Sequence, residues 1–530
     1  MKHGRTPTPS RSGGLSTIHS MLIATAFFFA AAFSVSCAGP ISSEPTTPKS
    51  PDVDVDTTAA EPAIPPATSP WSVDDESIKI ELMHRYLVEG IPSHNIDVTV
   101  KDGIVILSGS TRNIRSRKRI LNLPRYIKGV KAVIDRVSVK PVLRPDDELE
   151  ADIREALDQD PVLKNYDIEP KANGGIVSLE GTCSSYEQKT LSEDIVSSVR
   201  GVAEIKNNIE IEYAKERTDK EIKKDVISRL RSDIRIEDVL IDVEVDDGHV
   251  FLRGTVSSAA EKNLAYINSW VLGTKKVSSE ELEVSWKLRD EMRRKSTPVL
   301  DSETIKQSLQ AALSYDPLVD GDNINVKVSE GVVTIYGNTE NLRAKQSAER
   351  NAENTTGVVD VKNLINVRPA KTISNGALRD LVRRVIQSDS TLSRFQISVS
   401  AFDGKVYLDG TVPSAFDKKA AERTVGRITG VQAVGNNLSV RSEVHEVEPD
   451  WKVSKAIMER LFWNPTLDSR KIIAEVEGGV AILRGEVDNW RERVIAESEA
   501  YKAGAWRVRN LLRIKPLRYE ENKDSQIEIK

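Results

Sequence analysis

The sequence predicts an α+β fold: a tandem array of six small α-β-β-α-β modules, each a three-stranded mixed sheet with two helices on one face. Two observations carry this. A Gly, five residues of strand-like pattern and a second Gly recur six times, at Gly103/Gly109, Gly175/Gly181, Gly248/Gly254, Gly331/Gly337, Gly404/Gly410 and Gly479/Gly485. A third Gly (129, 201, 273, 357, 430 and 504) follows 19 or 20 residues after each second one. The steps between first glycines are 72, 73, 83, 73 and 75 residues, the mark of a repeat architecture.

Each element has its own local reason. The module opens with an amphipathic helix, as over Ile305 to Leu313 or Val453 to Phe462, often closed by Asp160-Pro161, Asp316-Pro317 or Asn464-Pro465. An alternating strand follows, such as Ile241-Asp242-Val243-Glu244-Val245. The turn after it carries Asp102-Gly103, Asp247-Gly248, Glu330-Gly331 or Asp403-Gly404, or in two repeats Gly174-Gly175 and Gly478-Gly479. Such pairs between alternating strands predict a tight hairpin with φ > 0 at its centre. The second Gly is expected to mark the exit from the sheet. Ser184-Ser185-Tyr186-Glu187 and Ser258-Ala259-Ala260-Glu261 resemble capping boxes for a second helix, as over Ala415 to Thr429, with the third Gly at its C′ position. A last strand, such as Val434 to Val440 or Ile205 to Ile211, returns through this helical crossover to lie parallel in the sheet.

These spans give modules at 74–142, 146–214, 218–286, 301–369, 373–442 and 449–517, with a charged linker at 287–300 and a polar tail at 518–530. A module so small is marginal alone. The open sheet face or an edge strand is therefore expected to meet neighbouring modules, either as a rigid rod or as loose beads. Before the array, residues 1–36 read as a signal peptide: Lys2, Arg5 and Arg11 precede 15 apolar residues from Met21 to Val35, short of the ~20 a membrane span needs. Ser34-Val35-Ser36-Cys37 is similar to the lipobox of bacterial lipoproteins, departing at Ser34 where that pattern has Leu. The resemblance implies acylation of Cys37. Ordinary cleavage nearby or an uncleaved anchor are the other readings. Residues 37–70, rich in Pro, Thr and Ser, read as a disordered tether. With Cys37 acylated, Cys183 has no intramolecular partner.

The α-β-β-α-β order, with Val105, Leu107, Gly109 and Gly129-Val130 in the first module and Val406, Leu408, Gly410 and Gly430-Val431 in the fifth, resembles the BON domain (bacterial OsmY and nodulation). Modules three and six depart at the closing motif, with Gly273-Thr274 and Gly504-Ala505. The resemblance implies a periplasmic or outer-membrane-associated protein that binds membrane phospholipid or envelope proteins and supports membrane integrity or osmotic stress tolerance.

Composition excludes other classes. The 530 residues carry a net charge of −5, without the basic field a nucleic-acid binder needs. The six histidines are scattered, and no G-x-S-x-G, Walker-type loop or C-x-x-C is present. No catalytic residue, metal, cofactor or small-molecule substrate is therefore expected. Glycines six residues apart span a strand, so they are structural rather than a phosphate cradle. Candidate contacts come from positions where one repeat deviates. Trp506 aligns with Lys131, Ala203 and Gln432, at a position expected to face water, and has Arg507 and Arg509 beside it. Trp463 aligns with Gln159, Tyr315 and Ser388 and is expected to be exposed as well. Trp and Arg suit the headgroup zone of a membrane. Burial against another module or a partner is the competing reading, and a scaffold using module edges the competing role.

Overall fold

The computed structural model describes residues 72–91, 93–288, 300–369, 372–440 and 448–514. The signal peptide, Cys37, the tether, residues 289–299 of the 287–300 linker and the polar tail lie outside the described residues. Among the described residues, no helix is long and apolar enough to cross a membrane.

Six modules repeat the order leading helix, hairpin, second helix, closing strand. In module 5 these are Asn375–Ser388, the strands Ile397–Phe402 and Lys405–Val412, Ala415–Gly426, and a closing strand in two pieces, Ala433–Asn436 and Ser439–Val440. The hairpin is antiparallel, with Ile397 opposite Gly410 and Phe402 opposite Lys405. Its second strand is central and pairs in parallel with the closing strand, Lys405 beside Ala433. The hairpin turns have positive φ at both central positions, as at Asp403 (50°) and Gly404 (74°).

Two glycine roles differ from expectation. The second glycines, Gly109, Gly181, Gly254, Gly337, Gly410 and Gly485, do not mark the exit from the sheet. In every module the central strand continues for two residues beyond this Gly, to Thr111, Cys183, Val256, Thr339, Val412 and Val487. At Gly410 φ is 144°, and a Cβ there would overlap the carbonyl oxygen of Gln396, just before the first strand. The same overlap would arise at Gly109 with Asn95, Gly181 with Asp167, Gly254 with Leu240, Gly337 with Asn323 and Gly485 with Lys471. This Gly therefore permits close approach of two backbones inside the sheet, which is why the spacing from the turn never varies. The third Gly sits at C′ only in module 6, where Ala503 closes the second helix just before Gly504; elsewhere it lies farther on. The second helix of module 2, Tyr186–Val196, ends five residues before Gly201, which turns the intervening loop into the closing strand at φ 104°.

A tie not anticipated from the spacing fixes the hairpin to its leading helix in modules 1, 2, 3, 5 and 6. The first helical residue, 28 positions before the turn, accepts hydrogen bonds from the turn's amides: Asp219 Oδ2 from Asp247 N at 3.0 Å and Oδ1 from Gly248 N at 2.8 Å. Asp75 and Asp450 do likewise, while Asp146 accepts from Gly174 N alone and Asn375 from Asp403 N through its carbonyl oxygen. Each module then closes over its own aliphatic cluster. In module 5, Leu378, Val382 and Ile386 meet Val406 and Leu408 of the central strand and Ala421 and Val425 of the second helix.

The modules form neither a rod nor beads, and their sheet faces do not join them: each module keeps a separate sheet. Helix ends make the joints, in the ring order 1-5-2-4-3-6. One kind of joint pairs the end of a leading helix with the loop after a second helix. Ser390 N donates to Ser198 O (2.7 Å) and Arg200 N to Ser388 O (2.9 Å) between modules 5 and 2. Ile234 N to Asn354 O (2.9 Å) and Thr356 N to Ser232 O (2.8 Å) repeat it between modules 3 and 4. Between modules 6 and 1 only Lys128 N to Trp463 O remains (2.9 Å), because Pro465 occupies the place of the second donor. The other kind sets an arginine of a second helix beside the residue closing a leading helix. Arg115 Nη1 donates to Asp389 (2.6 Å, modules 1 and 5) and Arg343 Nη1 to Asp160 (3.3 Å, modules 4 and 2). Arg491 lies near Asp233 of module 3 and donates to Asn354 Oδ1 at 2.7 Å.

Candidate functional site

The outer sheet face of module 6 holds one predicted set. Arg507 and Arg509 lie on the closing-strand piece Arg507–Asn510, both exposed, while Val508 between them turns inward against the module core. Parallel pairing places them beside Val480 and Ile482. Trp506 is 67% exposed. Its Nε1 donates to Gly478 O at 2.9 Å, and its ring lies against Gly479, where any Cβ would collide with it. The indole is thus held flat over the hairpin tip with its other face open to solvent. Nearby, Arg484 is neutralised by Glu475 across the hairpin (2.8 Å).

Trp463 is not part of this face, which corrects the expectation that it is exposed. It is 3% exposed and packs with Phe462 into the core of module 1, among Ile120, Ile127 and Val130. A sequence alignment of repeats cannot show this, because a position that faces water in one module faces a neighbouring module in another. Beneath it, buried Arg460 joins Glu499 of its own module (2.8 Å) to Glu89 of module 1 (3.0 Å). These carboxylates raise the guanidinium's pKa despite the opposing effect of burial.

A second locus was not anticipated. The ring encloses a cavity of about 1120 Å³, lined mainly by second helices and by residues from all six modules. Asn113, Asn341 and Asn489 cap three of these helices, and each cap is followed two residues later by an arginine, Arg115, Arg343 or Arg491. Module 5 adds Arg423 and Arg427. Arg119 and Arg423 flank the Phe416 ring, at 3.8 and 5.4 Å from its centroid. Burial, and then the neighbouring Arg115 and Arg350, depress the pKa of Arg423; burial, Arg115 and Arg343 push Arg427 down to about 10. Both stay protonated at neutral pH. The pattern Asn-x-Arg at the second helix was visible in three repeats, but nothing in the sequence said that those helices face one another.

Other titratable groups have structural settings. Glu261, also lining the cavity, is buried and accepts from Glu237 N (2.7 Å), Ser257 N (2.9 Å) and Ser257 Oγ (2.5 Å), and burial pushes its pKa up to about 7. Cys183 is free, ends a strand and donates to Ser185 O, with its thiol pKa raised by burial. Among the described residues, no group of three or more His, Cys, Asp or Glu has the arrangement to hold a metal ion.

Comparison with known proteins agrees with this repeat. The model of the BON domain matches residues 74–141, 145–213, 218–284, 301–369, 374–442 and 450–516. Osmotically-inducible protein Y of Escherichia coli is 28% identical over 148 residues, covering 27% of this chain and 74% of that protein. Among solved structures, the C-terminal domain of CdsD, a structural protein of the type III secretion system of Chlamydia trachomatis, is 12% identical and covers 41% of this chain and 100% of that one. Its TM-score of 0.11 carries no argument. With six matched units spanning most of the sequence, the chain belongs to the BON-domain family.

Proposed function

We propose that this is a non-catalytic envelope protein, exported and tethered by lipid at Cys37, that supports osmotic stress tolerance by contacting anionic phospholipid through the outer sheet face of module 6. The observation carrying the reading is the exposed Trp506, pinned at the hairpin tip, with Arg507 and Arg509 beside it. A pinned indole inserts at the headgroup level without losing side-chain freedom, and the arginines meet phosphates there. The likeness to an osmotically inducible protein supports the physiological setting.

Vesicle flotation tests the contact. The chain with Cys37→Ser should float with phosphatidylglycerol vesicles and lose most of that binding on Trp506→Ala with Arg507→Gln. Equal flotation of the variant would place the contact elsewhere. A scaffold role is the second reading, supported by apolar side chains on other outward faces, such as Tyr336 beside Leu364 in module 4. It predicts stoichiometric protein partners on crosslinking and no dependence on lipid charge.

A further inference from the structure

We infer that the chamber at the centre of the ring is a binding site for a small, multiply phosphorylated anion. The inference is independent of the lipid contact proposed for module 6, and rests on an imbalance of charge in one sector of the wall.

Six guanidinium groups converge there from modules 1, 4 and 5: Arg115, Arg119, Arg343, Arg350, Arg423 and Arg427. Two of them have a carboxylate within salt-bridge distance, Arg115 with Asp389 and Arg343 with Asp160. Those carboxylates are already shared. Asp389 also accepts from Thr391 N and Leu392 N, and Asp160 from Val162 N and Leu163 N, so each closes its own helix while it answers the arginine. The other four have neutral partners or none. Arg119 donates to Glu89 O (2.6 Å) and Arg427 to Ser198 Oγ (3.0 Å), Arg423 rests on the Phe416 ring, and Arg350 has no hydrogen bond or ion pair among the described residues. Arg350 and Arg423 both line the chamber and both keep solvent access.

Like charges lining one sector repel, an effect that the solvent reaching Arg350 and Arg423 moderates but does not cancel. Burial is the first cause of the depressed pKa values of Arg119, Arg350, Arg423 and Arg427; neighbouring arginines add to it, and carboxylates such as Glu89 at Arg119 and Asp316 at Arg350 oppose it. Among the described residues, four of these cations thus stand without a carboxylate in salt-bridge reach around a space of about 1120 Å³. Planar guanidinium groups recognise phosphate oxygens two at a time, and a ligand with several phosphates answers several forks at once. The volume lies just above the range of small-molecule pockets, leaving room for a ligand with several phosphates. Nine acidic residues also line the chamber, among them Glu89, Asp194, Glu349, Glu353 and Glu422, so the ligand should carry its charges clustered on one side.

The test is calorimetric titration of the full chain with sodium tripolyphosphate at about 0.15 M salt, where non-specific charge effects are largely screened. Saturable binding with one site per chain is expected, weakened roughly tenfold or more by Arg350→Gln with Arg423→Gln. A control pair outside both the chamber and the module 6 face, Arg379→Gln with Arg383→Gln on the leading helix of module 5, should bind as the unaltered chain does. Absence of saturable binding, or unchanged affinity in the chamber variant, overturns the proposal. Should the variant fold poorly, tripolyphosphate should still raise the Tm of the unaltered chain while sodium chloride of equal ionic strength does not; equal effects overturn it too. Short-chain phosphatidylglycerol below its micellar concentration, added as competitor, separates the sources: displacement points to a lipid headgroup, persistence of the tripolyphosphate signal to a free phosphate.

Discussion

Glu261 shows how a single side chain couples this fold to pH. In the folded chain its carboxyl keeps its proton up to about pH 7, whereas unfolded it ionises near 4.5. Folding therefore takes up a proton between those values, and the contribution to stability falls as pH rises from about 4.5 to about 7, then levels off. The change is on the order of 3 kcal/mol. Melting curves between pH 5 and pH 8 should show that fall in the unaltered chain and a flatter profile in Glu261→Gln. The variant's overall Tm should drop, because an amide cannot accept from donors at both of its ends. A second residue-scale device is the Asp219 carboxylate on the Asp247-Gly248 turn. Asp219→Ala should cost about 1–2 kcal/mol, read as a shift in denaturant midpoint with unchanged slope. Module 4 has Ser302 at the corresponding position, too short to span the gap that an Asp bridges, so Ser302→Asp should stabilise that hairpin.

Among the elements, the ends of the leading helices decide how modules join. Where the helix closes with Asp389-Ser390 or Asp233-Ile234, two backbone hydrogen bonds form to a neighbour; where Pro465 follows, one is lost and the Trp463 side chain fills the joint. Ser390→Pro should therefore weaken the joint of modules 5 and 2 by about 1 kcal/mol, while Trp463→Ala leaves a cavity in the core of module 1 and costs about 3–5 kcal/mol. Hydrogen exchange should show the second change loosening modules 1 and 6 together, with modules 2 and 5 unaffected. The hairpins and helices were legible in the sequence because their signals are local: a turn pair with φ > 0, alternation, a cap. The displaced glycine roles show the limit of that reading. Six-residue spacing is equally compatible with a strand exit and with a close backbone approach inside the sheet. Only the pairing of Gly410 with Ile397, repeated as Gly181 with Ile168, Gly254 with Ile241, Gly337 with Ile324 and Gly485 with Ile472, separates them.

At the scale of the molecule, ring order differs from chain order, so the halves before and after the linker interlock. Modules 1, 2 and 3 each contact modules from the second half through Arg115–Asp389, Asp160–Arg343 and the bridge of Asp233 with Thr355. Cleavage at a protease site engineered between residues 289 and 299 should leave the two fragments co-eluting at the size of the intact chain. Separation without denaturant would contradict the interlocking.

The sequence by itself determined the repeat, the topology of each module and the family, since these follow from short-range patterns of turn residues, caps and apolar period. It left Trp506 open between solvent and burial, and the structure exposes it. Tertiary structure alone decided that Trp463 is buried, that helix ends rather than sheets make the joints, and that the second helices surround a chamber lined with arginine. Those features arise from contacts between residues as far apart as Glu89 and Arg460. The repeat pattern carries no record of such contacts, because equivalent positions in equivalent modules meet different surroundings once the ring closes.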